Sequence, residues 1–255
     1  MHPALAGRWA RHSFIYMTGM TFSSFPPGGT AVVVGATGGI GAAFAEALES
    51  SSSFGRVIAL SRSSEPGIDL ADPASIERAA THLGEPDADI RLIVDATGFL
   101  HDETFAPEKS WSEIDLAHME KAFTVNAFGP ALLMKHMLPL LPGEGKSVFV
   151  SLSAKVGSIG DNGIGGWYSY RASKAALNQF IKTASVELKR RKKEAVIAAL
   201  HPGTVDTKLS EPFAKSGLKV REPETAAADL LMVIDALRPE QSGGFFDYRG
   251  DELLW

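Results

Sequence analysis

The chain alternates short, almost unbroken apolar runs with longer stretches in which apolar residues return at helical spacing. The short runs fall at 30–35, 56–60, 90–96, 147–152, 195–200 and 242–248 and are rich in Val, Ile and Phe. The helical patterns fall at 40–49, 73–83, 112–137, 168–193 and 222–237. Strands that are apolar at successive positions belong in a sheet buried on both faces. Strand–helix alternation of this kind predicts an α/β fold, a doubly wound parallel sheet in a single domain with helices on both faces. The opening strand is expected at its centre. Asp72 before Pro73 reads as an N-cap followed by proline at the first helical position. Gly129-Pro130 predicts a break within 112–137.

Residues 1–29 stand apart from this pattern. They carry Arg8 and Arg11 but no acid, the first being Glu46, and a Ser/Pro/Gly-rich stretch at 23–29 follows. A flexible leader is expected, with Met17 or Met20 as alternative starts; the composition also fits a targeting segment. The domain proper is then 30–255, with a substrate lid near 208–221 containing Pro212, Phe213 and Gly217.

Composition narrows the chemistry. The 255 residues are 45% hydrophobic and 22% charged with a net charge of −5, which supplies no general attraction for nucleic acid or an anionic membrane. A cytoplasmic protein acting on a small molecule is expected, with neither nucleic acid nor membrane as a partner. The basic run Lys189–Lys193 closes a helical pattern, where cations complement the helix dipole. With no cysteine and seven scattered histidines, no metal site is expected.

Gly35-Ala36-Thr37-Gly38-Gly39-Ile40-Gly41 joins the first strand to the first helix. A helix N-terminus offers free N–H groups and partial positive charge to a diphosphate, and glycines let the phosphates approach the backbone. Gly35, Thr37, Gly39, Ile40 and Gly41 are therefore candidates for dinucleotide binding in a Rossmann fold. After the second strand comes Leu60-Ser61-Arg62-Ser63-Ser64, which has no acid to bond a ribose 2′-hydroxyl. Ser61 and Arg62 suit a 2′-phosphate, so NADP(H) is the expected cofactor and NAD(H) the alternative. Asp69 and Leu70 are placed to meet the adenine.

Tyr170 and Lys174 lie four apart, on one helix face. A phenol that exchanges protons near neutrality needs a positive neighbour, which Lys174 can supply. Ser151 and Ser153 close a strand, where hydroxyl donors to a substrate are expected. Asn126 is a polar residue inside an apolar helical pattern, where a local kink or a bound water is expected.

Together these residues resemble the short-chain dehydrogenase/reductase family over roughly residues 30–255. The resemblance implies hydride transfer between a carbonyl and an alcohol by an Asn-Ser-Tyr-Lys tetrad, here Asn126, Ser153, Tyr170 and Lys174. It makes Lys174 the residue that lowers the tyrosine pKa and anchors the ribose, and Asn126 the support of a water relay. The segment from His201 to Thr207 resembles the family's Pro-Gly stretch, which puts Pro202, Gly203, Val205 and Thr207 against the cofactor. The family's Asn-Asn-Ala-Gly becomes Asp95-Ala96-Thr97-Gly98, whose last three residues are also cofactor candidates. The family's serine lies three residues before a glycine, and counting back from Gly157 gives Ala154. Ser153 serves only if the turn carries one extra residue; otherwise the serine role is weakened.

The segment from Ser153 to Ile159 and the tail from Ser242 to Trp255 are similar to the C-factor and sniffer-type carbonyl reductase branch. That branch implies a carbonyl reductase, with a dinucleotide-binding signalling protein of little turnover as the alternative. Substrate contacts are expected from 161–167 and from the lid. The family's habit of pairing its long helices implies a homodimer or homotetramer.

Overall fold

A computed structural model describes residues 21–85, 88–210 and 220–255. Six parallel strands form one sheet in the order β2-β1-β3-β4-β5-β6. They are β1 (Gly29–Val34), β2 (Phe54–Leu60), β3 (Ile90–Asp95), β4 (Ser147–Leu152), β5 (Ala195–His201) and β6 (Phe245–Asp247). The helices are α1 (Gly39–Glu49), α2 (Pro73–Leu83), α3 (Leu116–Phe123), α4 (Gly129–Met137), α5 (Tyr168–Arg191) and α6 (Pro223–Ala236). The doubly wound α/β reading holds. β1 is interior but second from one edge, not central as expected. The chain runs outward from β1 to β2 and returns to β3 on the other side, so the strand order reverses between β1 and β3.

The unbroken apolar runs have a direct cause. Alternate strand residues point to opposite faces, and both faces are covered. Ala31, Val33, Leu92 and Val94 pack with Phe44 and Leu48 of α1 and Leu230 and Ile234 of α6. Val32, Val34, Ile93 and Phe149 pack on the other side with Ile76 of α2, Leu133 of α4 and Leu177 and Ile181 of α5. Asp72 caps α2 as its sequence indicates, accepting from the Ala74 N–H at 3.0 Å, with Pro73 at the start of the helix.

The break expected at Gly129-Pro130 lies just before it. Thr124–Phe128 forms a π-helical turn between α3 and α4, with Asn126 buried inside. A single π turn widens the ladder and is a recurrent cause of helix kinks.

The expected leader divides in two. Residues 1–20 lie outside the described residues. Residues 21–29, expected as part of the flexible leader, instead pack onto the domain: Phe22 and Phe25 are buried and meet the Phe54 ring at 6.0 and 5.4 Å between centroids. The Phe22 N–H donates to Ser53 Oγ at 2.7 Å. Lys146 Nζ donates to Ser24 Oγ at 2.9 Å and to the final carbonyls of α6 at Ile234 and Asp235, and sits over the Phe25 ring. Two aromatics outweigh the Ser/Pro/Gly character of this segment. Of the expected lid, 208–210 and 220–221 are described, and 211–219 lie outside the described residues.

Candidate active site

The glycine turn is built by close approach. Gly35 has φ +84°, a conformation that favours glycine. A Cβ on Gly41 would stand 2.2 Å from the Gly35 carbonyl oxygen, and one on Gly39 would stand 2.8 Å from Thr207 Cγ2. Gly41 thus lets the first turn of α1 close against β1, and Gly39 brings the 202–207 segment against the N-terminus of the same helix.

Two adjoining cavities open over this turn, at the carboxyl ends of β1 and β3 where the strand order reverses. Open parallel sheets bind ligands at that place. One, about 460 Å³, runs from Gly35, Thr37 and Gly38 to Ser61, Arg62, Asp69 and Leu70. The other, about 430 Å³, holds Gly39, Ile40, Ser153, Tyr170, Lys174, Pro202 and Thr207. Thr37, Gly38, Ala96, Thr97 and Gly98 line both, so the two form one trough. Its glycine cradle and two-lobed shape fit a dinucleotide, with the diphosphate over the amino end of α1.

Most of the expected cofactor residues line the trough. Gly41, Gly203 and Val205 do not; they act behind it. Gly203 has φ +79°, and Val205 is buried and bridges to Arg221. Arg221 holds that segment: it donates to the Pro202 carbonyl at 3.0 Å, lies 3.8 Å over the Tyr248 ring and pairs with Asp229. Nothing in the spacing pointed to it. In the other lobe the Ser64 hydroxyl closes the Ser61–Pro66 turn, its Oγ 2.8 Å from each of those two carbonyl oxygens and its one proton available to either. Arg62 is exposed beside the Ser61 and Ser63 hydroxyls, which lie 3.2 Å apart.

The catalytic candidates converge. Tyr170 and Lys174 begin α5 and are both buried, with Lys174 Nζ 5.9 Å from the Tyr170 ring centroid. Lys174 Nζ donates to the Leu152 carbonyl at 2.8 Å. Burial lowers its pKa to about 8, while nearby Asp95 pulls it upward. Asp95 is buried beneath the trough and accepts from Ser151 Oγ at 2.7 Å and from Thr97 N and Oγ1 at 3.1 and 2.6 Å. Ser151 is thereby a structural partner of Asp95. Burial pushes the Asp95 carboxyl up. Burial also pushes the Tyr170 phenol above its ordinary value, the opposite of the shift expected from the lysine alone.

Asn126 is fully enclosed. Its Oδ1 accepts from the Phe99 N–H at 2.7 Å, and its Nδ2 donates to the Phe99 carbonyl at 2.7 Å and to Ser173 Oγ at 3.1 Å. It therefore ties the π turn to the loop after β3 and to α5. Ser153 lines the cavity, but its hydroxyl, expected to polarise the substrate oxygen, donates instead to Asn178 Oδ1 at 2.7 Å. Ala154 is the residue of this loop that packs into the small apolar cluster with Leu100 and Tyr170. The turn that follows is a single 3₁₀ turn, Lys155–Gly157.

Trp167, Val156 and Leu209 pack against the same cluster, so one end of the expected lid reaches Tyr170. The rest of the 161–167 loop does not. Asn162, Gly165 and Gly166 line a separate cavity of about 460 Å³ with Ile159 and Tyr168. At the far end of α5, Lys192 of the basic run donates to the Leu138 and Pro139 carbonyls, a structural clasp. No helix among the described residues is long and apolar enough to cross a membrane.

Known proteins are similar to this chain in sequence and in fold. The short chain dehydrogenase family model matches residues 29–216. C-signal of Myxococcus xanthus is 39% identical over 143 residues, 56% of this chain and 82% of that protein. The 1-hydroxy-2-glutathionyl-2-methyl-3-butene dehydrogenase of Rhodococcus sp. (strain AD45) is 35% identical over 191 residues, 75% of this chain and 80% of that protein. Among solved structures, an NADPH-bound carbonyl reductase from chicken fatty liver superposes with a TM-score of 0.79 at 24% identity, over 90% of this chain and all of that one. The carbonyl reductase Sniffer of D. melanogaster superposes with a TM-score of 0.76 at 23% identity, with the same coverage. A family match over most of the chain, on a parallel sheet whose strand order reverses beneath a glycine cradle and a Tyr-x-x-x-Lys helix, shows that this chain belongs to the short-chain dehydrogenase family of oxidoreductases.

Proposed function

We propose that the protein is an NADP(H)-dependent reductase of carbonyl compounds, working also as the alcohol dehydrogenase in reverse. The observation that carries this reading is the single trough with Arg62 at one end and Tyr170 and Lys174 at the other. NADP(H) would rest its diphosphate against Gly35, Thr37, Gly39 and Ile40, with its 2′-phosphate toward Arg62 and the Ser61 and Ser63 hydroxyls. When bound, it supplies or accepts the hydride.

The remaining chemistry belongs to side chains of this chain. Tyr170 Oη gives its proton to the substrate oxygen during reduction and takes it back during oxidation. The phenol stays protonated in its apolar surroundings, the state in which it acts as acid. Lys174 provides the positive charge that stabilises the phenolate left behind. It is held in place by the Leu152 carbonyl and by the field of Asp95. Asn126 fixes the loop and helix that carry these groups. Ser153 contributes by anchoring the β4 loop to α5 through Asn178, which leaves Tyr170 the main donor to the substrate oxygen. Leu100, Ala154, Val156, Trp167 and Leu209 make an apolar surround, suited to a carbonyl on a hydrophobic body.

A second reading, a dinucleotide-binding signalling protein with slow turnover, draws on the similarity to C-signal and on the commitment of the Ser153 hydroxyl. Titration with NADPH and NADH, followed by NADPH oxidation with ketones, aldehydes and quinones, separates the two. Tighter NADPH binding and turnover abolished by Tyr170→Phe support the reductase. Tight NADPH binding with no turnover on any carbonyl supports the second.

A further inference from the structure

Glu108 is among the most deeply buried charged residues of the molecule, and the chemistry described so far makes no use of it. Its carboxylate accepts from the Ser169 main-chain N–H at 3.2 Å through both oxygens, and from the Ser169 hydroxyl. Oε1 also lies 3.3 Å from His118 Nδ1. The Glu108 carbonyl accepts from the Trp167 N–H at 2.5 Å. Ser169 and His118 are buried with it.

Serine, histidine and glutamate in one cluster invite comparison with a hydrolytic triad, and the connectivity rules it out. The Ser169 hydroxyl donates to the carboxylate and not to the imidazole. A nucleophile would need the imidazole as its base and a path to solvent.

The cluster's position is what gives it meaning. Ser169 is the second residue of α5 and Tyr170 the third. Helix α5 has no local side-chain cap, and Trp167 before it is in the left-handed region at φ 54°. Glu108, 61 positions away in sequence from Ser169, supplies the missing acceptor to the amino end of the helix. The other half of the cluster leads to Asn126. His118 lies in α3, stacks on Phe105 at 5.0 Å and meets Phe99 edge-on at 5.9 Å. Phe99 is in turn the residue that Asn126 grips from both sides. Glu108 thus joins the loop after β3, the helix leading into the π turn and the first turn of the helix carrying Tyr170. A buried carboxylate costs more than an apolar residue of the same size unless its partners offset the lost solvation. Retaining one here is explained by what it orients.

We propose that Glu108 is a positioning residue for the reaction, setting the height and rotation of the Tyr170 hydroxyl through the capped first turn of α5. The inference rests on the reductase reading, in which Tyr170 is the proton donor. The test measures kcat, KM for the carbonyl and Kd for NADPH in the full-length wild type and in Glu108→Ala, Glu108→Gln, Ser169→Ala and Tyr170→Phe. A displacement of the reacting group by about an ångström costs on the order of 100-fold. Glu108→Ala is therefore expected to lower kcat roughly 30- to 100-fold while the NADPH Kd stays within about twofold. Glu108→Gln keeps an acceptor for the Ser169 N–H and is expected to restore most of kcat. Ser169→Ala removes one hydroxyl, and is expected to lower kcat by roughly threefold to tenfold with a fold intact enough to measure, even where Glu108→Ala fails to accumulate.

Amide hydrogen exchange gives a readout independent of turnover. The amides of residues 168–172 should exchange faster in Glu108→Ala than in Glu108→Gln. Wild-type kcat in Glu108→Ala, alongside an inactive Tyr170→Phe, would overturn the proposal and leave Glu108 a stabilising cap only. An equal loss in Glu108→Gln and Glu108→Ala would also overturn it. Full turnover in Tyr170→Phe would overturn the reductase reading itself, and the positioning role with it.

Discussion

The two lobes of the trough solve opposite problems with the same sheet edge. At the β2 end, Arg62 and Ser63 are exposed and only Ser61 is buried, so on the proposed reading recognition there is by addition: a charge and hydroxyl donors laid beside a ligand. At the β4 end, Tyr170, Lys174, Asn126 and Asp95 are withdrawn from water, and each has its field or its hydrogen bonds set by neighbours. Preorganised groups in a dry site act more strongly than the same groups in water. The contrast implies that substitutions in the open lobe change which cofactor binds, whereas substitutions in the closed lobe change how fast the bound pair reacts.

The largest expected effect is in the closed lobe. Tyr170→Phe removes the acid and should lower kcat about 1,000-fold in NADPH oxidation assays, with the NADPH Kd unchanged in fluorescence titration. A parallel loss of binding would erase the distinction between the lobes. Next comes the buried ammonium. Lys174 has its folded pKa lowered to about 8 from the ordinary lysine value of 10.5, because burial penalises its protonated form. The penalty is fully present below pH 8 and fades toward pH 10.5, as the folded chain sheds a proton that the unfolded chain still holds. Lys174→Met relieves that penalty but leaves the Leu152 carbonyl without its donor, so a net gain of about 1 kcal/mol is expected at pH 7 in denaturant unfolding of the ligand-free protein, shrinking as the pH is raised to 10.

The open lobe gives a smaller, selective effect. Arg62→Ala should weaken NADPH binding roughly 10- to 100-fold by titration and leave NADH within about twofold, since only the 2′-phosphate loses its partner. Equal weakening of both would remove Arg62 from phosphate recognition. The smallest expected change is Ser153→Ala. Its hydroxyl serves Asn178, so the cost should be about 1 kcal/mol of stability with kcat within about threefold. A loss of 100-fold would return Ser153 to the substrate.

Much of this was legible in the sequence because local rules and global fold agree. Apolar runs gave the strands, and Asp72-Pro73 marked a helix start to the residue. The glycine turn located the middle of the trough, where its two lobes meet, and the Tyr-x-x-x-Lys spacing located one end. What was hidden depends on partners distant in the chain. The partner of the Ser153 hydroxyl is Asn178 and the cap of α5 is Glu108, neither of which any spacing reveals. The rise in the Tyr170 pKa comes from burial, a property of the packed state. The ordering of 21–29 turned on Phe22 and Phe25 finding Phe54, where composition alone suggested a linker.

That aromatic knot has a practical corollary for anyone expressing the protein. The family match begins at residue 29, so a boundary drawn on similarity would cut away Phe22 and Phe25. It would strip the cover from Phe54 and take from Lys146 both the Ser24 hydroxyl and the ring it lies over. Shortened versions should start upstream of Phe22. One that starts at β1 would leave a greasy underside bare at the end of the sheet opposite the glycine cradle.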